Sequence, residues 1–327
     1  MVTLMRLTVI IGIALTTATI CARVWVSNIL SYQVARSDLF VPNGASATRV
    51  LKDLAPNLSV TERKFLFFLY PFFSHVQAGF YRFPRASSVI EALKSINDGN
   101  AVVNRVTVPE GITSALLFEQ LGGIRILDGP ISLEQERWLK LSDPFAHNEG
   151  AFLAETYLWQ QQMTRNELLE LMHRALEDAL KKAWIDRDPI VDTALKSPYE
   201  LLILASIVEK ETALASERAV IAGVLIERLK RGMRLQTDPT VIYGLGHAFK
   251  GNLTRRHLRE KTAYNTYRID RLPPTPIALV GPEALHAVAR PKMTGALYFV
   301  ADGSGGHAFA KTLKEHNANV RKYQLKR

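Results

Sequence analysis

Cysteine is almost absent from this chain of 327 residues, because Cys21 is the single representative. One cysteine can form neither an internal disulfide nor a thiolate zinc cluster, so the fold must be held by its core. The eight histidines are scattered and show no HExxH or similar spacing. We therefore infer no metal site and no cofactor.

Internal repeats and low-complexity segments are missing too, and a hydrophobic fraction of 47% excludes an intrinsically disordered chain. The formal net charge of +10 favours an anionic partner: nucleic acid, an anionic lipid surface or an acidic wall polymer. No arginine-rich helix or aromatic-basic motif concentrates this charge, so we expect no nucleic-acid binding. The length predicts roughly two domains.

A long apolar run does occur at the N-terminus, where residues 7–22 carry no charge. A membrane-spanning helix needs about 20 apolar residues, with a lower limit of about 17. The run reaches this length if Arg23 snorkels and Trp25 lies in the interface. A cleaved signal peptide is the alternative, but Ile20 stands where a cleavage site needs a small residue. The pattern favours an uncleaved anchor. Lysine and arginine are sparse on both sides of it and do not decide the orientation, for which the body of the protein on the outer face is the default expectation.

The remainder of the chain predicts an α+β architecture. A strand-helix-helix-strand module comes first, and its aromatic run 61–73 is typical of a buried helix that breaks near Pro71, with a saccharide platform as the less favoured interpretation. Helical spacing follows at 112–121 and 163–184. From Met233 onward we expect short β-like runs separated by proline and glycine, with a hairpin turn at residues 302–306.

Two carboxyl groups, Glu209 and Glu211, stand at the end of an apolar helix that opens at Ser197-Pro198. Burial raises the pKa of a carboxyl group, and a general acid working near neutral pH needs a raised pKa. At 100° per residue, Glu211 points into an apolar stripe, and Glu209 lies on another side. The equally weighted alternative is that both are solvated or paired with Lys210, Arg218 or Arg228.

Further candidates surround this helix. Ser216 is the expected N-cap of the next helix, whose first turn holds Glu217, either as a partner of the helix dipole or as a second carboxyl in the site. Two polar segments carry amide, hydroxyl and aromatic groups that suit sugars, although turn and strand packing explains them equally well. These candidates for substrate binding are Gln236, Thr237, Asp238, Tyr264, Asn265, Thr266 and Tyr267.

Several motifs together resemble one family, the MltG (YceG-like) endolytic murein transglycosylases. The first group is LASIVEKET at 204–212, followed by SER at 216–218 and RLQTDPTVIYGLG at 234–246. The others are AGFYRF at 78–83, VPEG at 108–111, TAYNTY at 262–267, LPP at 272–274 and LYFVADGSGGH at 297–307. Each piece is weak alone, but the combination is specific and covers almost the whole chain.

The resemblance implies a single-pass inner-membrane protein whose catalytic domain lies outside the cytoplasm. The expected organisation is a cytoplasmic tail at 1–6, a transmembrane anchor at 7–27, a LysM-like subdomain at 28–108 and a YceG-like catalytic domain at 109–327. Peptidoglycan glycan strands are the implied substrate, and peptidoglycan synthases are possible partners. The chain departs from the family pattern at Arg271 and Thr275, where glycine is usual, and at Ala154 and Glu155.

The resemblance also implies that Glu211 is the catalytic residue, in agreement with the helical-wheel argument. A lytic transglycosylase cleaves the bond between N-acetylmuramic acid and N-acetylglucosamine and leaves 1,6-anhydro ends. One carboxyl can serve as both acid and base, because the muramic C6 hydroxyl replaces the attacking water of other glycosidases. A hydrolytic muramidase that pairs Glu211 with Glu217 or Asp238 is the alternative enzyme. A non-catalytic wall-binding scaffold is the alternative outside catalysis.

Overall fold

The computed structural model describes residues 2–70, 75–125, 127–131, 148–159 and 163–325. The chain divides into two compact units, one formed by Met1–Arg105 with Leu158–Gln162 and the other by Val106–Tyr157 with Met163–Arg327. Both mix helices with short two-stranded sheets, which confirms the predicted α+β class.

The first unit begins with one long helix, α1 (Val2–Leu30). Its other elements are β1 (Asp38–Val41), α2 (Ala47–Leu54), α3 (Val60–Leu69), β2 (Gly79–Arg82) and α4 (Val89–Asn97). Strands β1 and β2 pair antiparallel. Serines at 46, 59 and 88 begin the three shorter helices, because each side chain accepts a hydrogen bond from an otherwise unpaired backbone N–H.

A single apolar core holds this unit together. Its fully buried side chains come from every element, and the last turn of α1 contributes Ile29, which is 1% exposed. Because Ile29 packs into the same core as the shorter helices and the sheet, α1 is anchored in the unit. The predicted break near Pro71 lies outside the described residues.

Strands β3 (Asn104–Thr107) and β5 (Thr156–Trp159) form a two-stranded sheet. The second unit then contains α5 (Ser114–Gly122), β4 (Leu127–Asp128), β6 (Met163–Thr164) and α6 (Arg165–Ile185). Its C-terminal half comprises α7 (Pro198–Glu211), α8 (Ala215–Lys230), α9 (Asp238–Leu245), α10 (Arg255–Arg259), α11 (Pro282–Ala289), β7 (Tyr298–Ala301), β8 (His307–Ala310) and α12 (Leu313–Tyr323).

Helix α7 is the centre of the second unit. Every residue from Leu201 to Glu209 is buried, as expected for a helix that is apolar on all sides. Helices α6, α8, α9 and α11 pack around it. The helix ends at Glu211, because Thr212 has extended backbone angles.

The expectation of short β-like runs after Met233 holds only for the β7–β8 hairpin, since elsewhere the described residues of that region form α9, α10, α11 and α12 with their connecting segments. Proline misled the prediction: Pro239 and Pro282 stand in the first turns of α9 and α11, where the missing N–H costs nothing. The predicted N-cap at Ser216 is also wrong, because α8 begins at Ala215. The hairpin turn at 302–306 is confirmed by β7 and β8.

Candidate functional site

A cavity of about 470 Å³ opens in the second unit at the C-terminal end of α7. Helix α8, the start of α9, the β7–β8 hairpin and α12 supply its other walls. Its lining residues are Glu211, Arg228, Leu235, Gln236, Asp238, Tyr267, Tyr298, Phe299, Val300, Ala301, His307, Leu313, His316, Val320 and Gln324.

Glu211, the last residue of α7, is partly buried in this cavity. Burial, together with the smaller effect of the nearby Asp238 charge, raises the pKa of its carboxyl group to about 8, although Arg228 acts to lower it. Within the described parts of the chain, the Glu211 carboxyl receives no hydrogen bond. A carboxyl group in these surroundings is protonated at neutral pH and has its proton available to a ligand.

Arg228 of α8 is the buried cation beside this carboxyl, with 6% of its surface exposed. Its Nε donates to the carbonyl oxygen of Leu297 at 2.6 Å, and its Nη1 donates to that of Leu235 at 2.7 Å. The guanidinium also lies over the ring of Tyr298, 5.1 Å from the centroid. These contacts orient the guanidinium in the cavity wall.

Gln236 and Asp238 lead into α9 along one side of the cavity. Gln236 has a φ of 52°, a left-handed conformation that non-glycine residues rarely adopt. Its Oε1 accepts a hydrogen bond from Arg228 Nη1 at 3.4 Å. The Tyr267 hydroxyl donates to Asp238 Oδ1 at 2.7 Å. Strained backbone of this kind concentrates at functional sites.

The hairpin places His307 in the wall formed by β7, β8 and α12. Glu217 of α8 holds this histidine at two atoms: Oε1 accepts from the backbone N–H of His307 at 2.9 Å, and Oε2 lies 2.7 Å from Nδ1. With Nδ1–H bonded to a carboxylate, Nε2 is the nitrogen left for a ligand. Glu217 itself does not line the cavity.

Four of the predicted substrate-binding residues do not line the cavity either. The hydroxyls of Thr237 and Thr266 lie 3.2 Å apart, and Thr240 joins them. The Asn265 amide donates to two backbone carbonyls, and the Tyr264 hydroxyl bonds Thr275 at 2.8 Å. These side chains hold the polypeptide that carries Gln236, Asp238 and Tyr267.

Glu209, one half-turn before Glu211, lies on another side of α7 and is 9% exposed. Its Oε2 accepts from the backbone N–H of Gly281 at 3.0 Å, and its Oε1 accepts from Arg218 at 3.3 Å. Arg218 also pairs with Glu110 at 2.8 Å. The predicted alternative of an ion-paired glutamate therefore describes Glu209.

A family model described as the YceG-like family matches residues 39–322 of the chain. The chain belongs to this YceG-like family. The match begins after α1, and it includes nearly all of the second unit and every residue of the cavity except Gln324.

Curated relatives are named for an activity. A Bacillus subtilis (strain 168) protein, called endolytic murein transglycosylase, is 30% identical over 311 residues, which cover 86% of this chain and 83% of the relative. A Streptococcus pneumoniae protein with the same name is 26% identical, and the match covers 77% of this chain but only 51% of the relative. The chain thus spans about half the length of the pneumococcal protein.

A solved structure has the same fold. The crystal structure of a putative yceG-like protein from Listeria monocytogenes superposes with a TM-score of 0.55 at 26% identity, covering 86% of this chain and 98% of the other. The YceG-like family suspected from the sequence motifs is therefore confirmed.

Several cavity residues of this YceG-like chain were not predicted from the sequence as site residues, namely Tyr298, Phe299, His307, His316 and Arg228, the last of which was named only as an ion-pair partner of the two glutamates. Arg228 is one of many basic residues on amphipathic helices, and no local pattern marks it as buried. His307 closes the LYFVADGSGGH motif, so a signal was present at that position. In the described parts of the chain, no group of three His, Cys, Asp or Glu residues could hold a metal ion.

Proposed function

We propose that this chain is an endolytic murein transglycosylase that cleaves peptidoglycan strands between N-acetylmuramic acid and N-acetylglucosamine. The observation that carries the proposal is Glu211, a carboxyl group with a raised pKa and no hydrogen-bond donor from the described residues, in an open cavity. Membership of the YceG-like family and the name of the Bacillus subtilis relative support it.

The chemistry needs a single carboxyl group. Protonated Glu211 donates its proton to the glycosidic oxygen, which leaves as the C4 hydroxyl of N-acetylglucosamine. The Glu211 carboxylate then takes the proton of the muramic C6 hydroxyl while that oxygen forms a bond to the anomeric carbon. The product is a 1,6-anhydro end, the carboxyl recovers its proton, and no water is consumed.

The neighbouring side chains have distinct roles in this scheme. Asp238 keeps the pKa of Glu211 raised, and Asp238, Tyr267 and Gln236 offer hydrogen-bonding groups to sugar hydroxyls and N-acetyl groups. Glu217 acts through His307, whose ring faces the same cavity.

The remaining predicted substrate-binding residues do not contact the substrate directly in this scheme. Thr237, Tyr264, Asn265 and Thr266 bind within the protein, and they position the loop that carries the direct ligands. These residues therefore contribute to substrate binding by fixing the shape of the cavity wall.

The predicted domain organisation belongs to the proposal. Residues 10–30 of α1 are long and apolar enough to cross a membrane, by length and composition. We assign residues 1–6 to a cytoplasmic tail, 7–27 to the anchor, 28–108 to a LysM-like subdomain and 109–327 to the catalytic domain. The catalytic domain then lies outside the inner membrane, where nascent glycan and the peptidoglycan synthases are found.

Product analysis tests the activity. Purified glycan strands are incubated with the full chain in detergent, and the new ends are identified by mass spectrometry. Anhydro-muramic ends inside long strands are expected. Reducing muramic ends would instead identify a hydrolytic muramidase, with Asp238 or Glu217 as the second carboxyl. Binding to strands without any new ends would identify a wall-binding scaffold.

A further inference from the structure

The first unit carries an exposed aromatic surface next to the apolar helix α1. Trp25 of α1 packs against Phe65 of α3, with ring centroids 4.9 Å apart. Phe68 lies three residues after Phe65, on the same face of α3, and is 82% exposed. Because Phe65 and Phe68 share one face of α3 and Trp25 packs against Phe65, the exposed ring belongs to an aromatic patch, and exposed apolar patches mark interaction sites.

The rigid end of α1 brings this surface close to any membrane that α1 crosses. Ile29 is buried in the core of the unit, and Trp25 precedes it by four residues, or about 6 Å along the helix. The backbone is helical from one residue to the other, so no flexible linker separates the apolar segment from the folded unit. The part of the unit that flanks Trp25 must therefore lie at the bilayer surface.

The composition around this contact suits the headgroup region. Trp25 is 39% exposed, and tryptophan is enriched where a helix leaves the hydrocarbon. Arg23 and Lys64 are both exposed. Arg23 precedes Trp25 by two residues, and Lys64 is the residue before Phe65. Long basic side chains at this depth reach the lipid phosphates while their stems stay in the apolar layer.

We propose that the face of α3 formed by Lys64, Phe65 and Phe68 contacts the lipid headgroup region of the bilayer that α1 crosses. The inference rests on the proposed membrane anchor and goes beyond it, because the folded unit becomes a membrane-bound platform with two points of attachment. A bilayer is favoured over a protein partner because the surface continues directly from the apolar span through the Trp25–Phe65 contact.

Spin labels on the full chain in lipid nanodiscs test the proposal. One label is placed at position 68 by Phe68→Cys in a Cys21→Ser background. The matched control is Phe40→Cys in the same background, because Phe40 is an exposed aromatic of the same unit that lies on strand β1, opposite Phe80 of β2. The native Cys21, exposed on the apolar helix, carries the label in a third sample. Thermal melting checks that each variant is folded.

Collisions with molecular oxygen, which partitions into lipid, are compared with those of a water-soluble nickel chelate. The label at 68 is expected to have an oxygen-to-nickel ratio several-fold above that at 40 and below that at Cys21, because the headgroup region lies between water and the hydrocarbon. A ratio at 68 equal to that at 40 would overturn the α3 contact while leaving the anchor intact. Low collision rates with both reagents at 68 would show that a protein, and not lipid, covers this face of α3. Water-like values at Cys21 would overturn the anchor and the contact together.

Discussion

Glu209 and Glu211 are two residues apart on one helix, yet the regions around them differ. Glu209 lies in a packed network, with both carboxylate oxygens bonded to Gly281 and Arg218. Glu211 faces an open cavity, with Asp238 raising its pKa and no hydrogen bond from the described residues. Burial raises the pKa of both carboxyl groups, so burial alone does not separate them.

Under the proposed function, the unpartnered state of a carboxyl, more than its burial, distinguishes the reactive group. Hydrogen bonds to both oxygens hold Glu209 in one orientation, and its loss would disturb α7 and α11 together. Glu211 receives no hydrogen bond from the described residues and faces the cavity, so its loss would disturb a ligand bound there. The proposal therefore assigns stability to Glu209 and chemistry to Glu211, and variants can separate the two.

The largest expected effect is on turnover. Glu211→Gln removes the transferable proton but keeps the side chain's size, so formation of anhydro ends should fall by about 10² to 10⁴-fold. The melting temperature at neutral pH should stay the same or rise, because folding no longer has to take up the proton that keeps the buried carboxyl neutral. The matched variant Glu209→Gln should retain most of its activity. Equal losses from both variants would contradict the assignment.

The second effect is on stability. Glu209→Ala leaves Arg218 with Glu110 alone and the N–H of Gly281 without its acceptor, so the free energy of unfolding should fall by about 3 kcal/mol. Chemical denaturation measures this. Glu211→Ala, at the same helix end, should cost clearly less, and the reverse order would break the comparison.

Weakening the contact between Glu217 and His307 is expected to have a smaller effect, on kcat/KM. Glu217→Gln weakens a charged hydrogen bond to His307, and kcat/KM should fall about tenfold. His307→Gln should reduce kcat/KM by a similar factor, and the double variant should be little worse than either, since the two residues act as one unit. Additive losses would show that Glu217 contacts the substrate independently.

The fourth effect is a shift of the pH profile. Glu211 must be protonated to act, so kcat/KM should fall as the pH rises through about 8. Asp238 raises this pKa through its negative charge, and Asp238→Asn should therefore lower the pKa of Glu211 and move the alkaline limb to lower pH. An alkaline limb that stays in place would mean that another group controls it.

The smallest effect concerns the other end of α7. Arg271 has a φ of 71°, and its Nη2 pairs with Glu200 in the first turn of α7. Arg271→Gly relieves the backbone but loses the pair, so the stability should change by less than about 1 kcal/mol. Arg271→Ala loses the pair and keeps the strain, and it should be less stable than Arg271→Gly by about 1 kcal/mol. Calorimetry on both variants tests the order.

Local sequence patterns predicted the structure correctly where the apolar face of a single helix determined it. The apolar spacing before Glu209 and Glu211 predicted α7, and the spacing over 163–184 predicted α6. Arg271 departs from the usual glycine of the family pattern, and its left-handed backbone is the conformation that glycine favours. These features depend on neighbours in sequence, which is why they can be inferred without the fold.

Sequence patterns gave wrong predictions where the structural role of a proline or a hydrogen bond between distant residues decided the structure. Pro239 and Pro282 start helices instead of interrupting strands, and the difference depends on the carbonyls and packing around them. Thr237 and Thr266 resemble sugar ligands in composition, but they bond each other across 29 positions of sequence. A polar side chain carries no local sign of whether its partner is a ligand or another part of the chain.

By itself, the sequence determined the family, the mixed α+β class, the apolar N-terminal helix and Glu211 as the candidate acid, because motif and helical spacing are local properties. Only the tertiary structure decided that Glu209 is bonded while Glu211 receives no hydrogen bond from the described residues, and that Arg228 and His307 share the cavity. Those facts depend on Gly281, Leu297 and the β7–β8 hairpin, which come from 69 to 90 positions away and meet α7 and α8 only in the folded core.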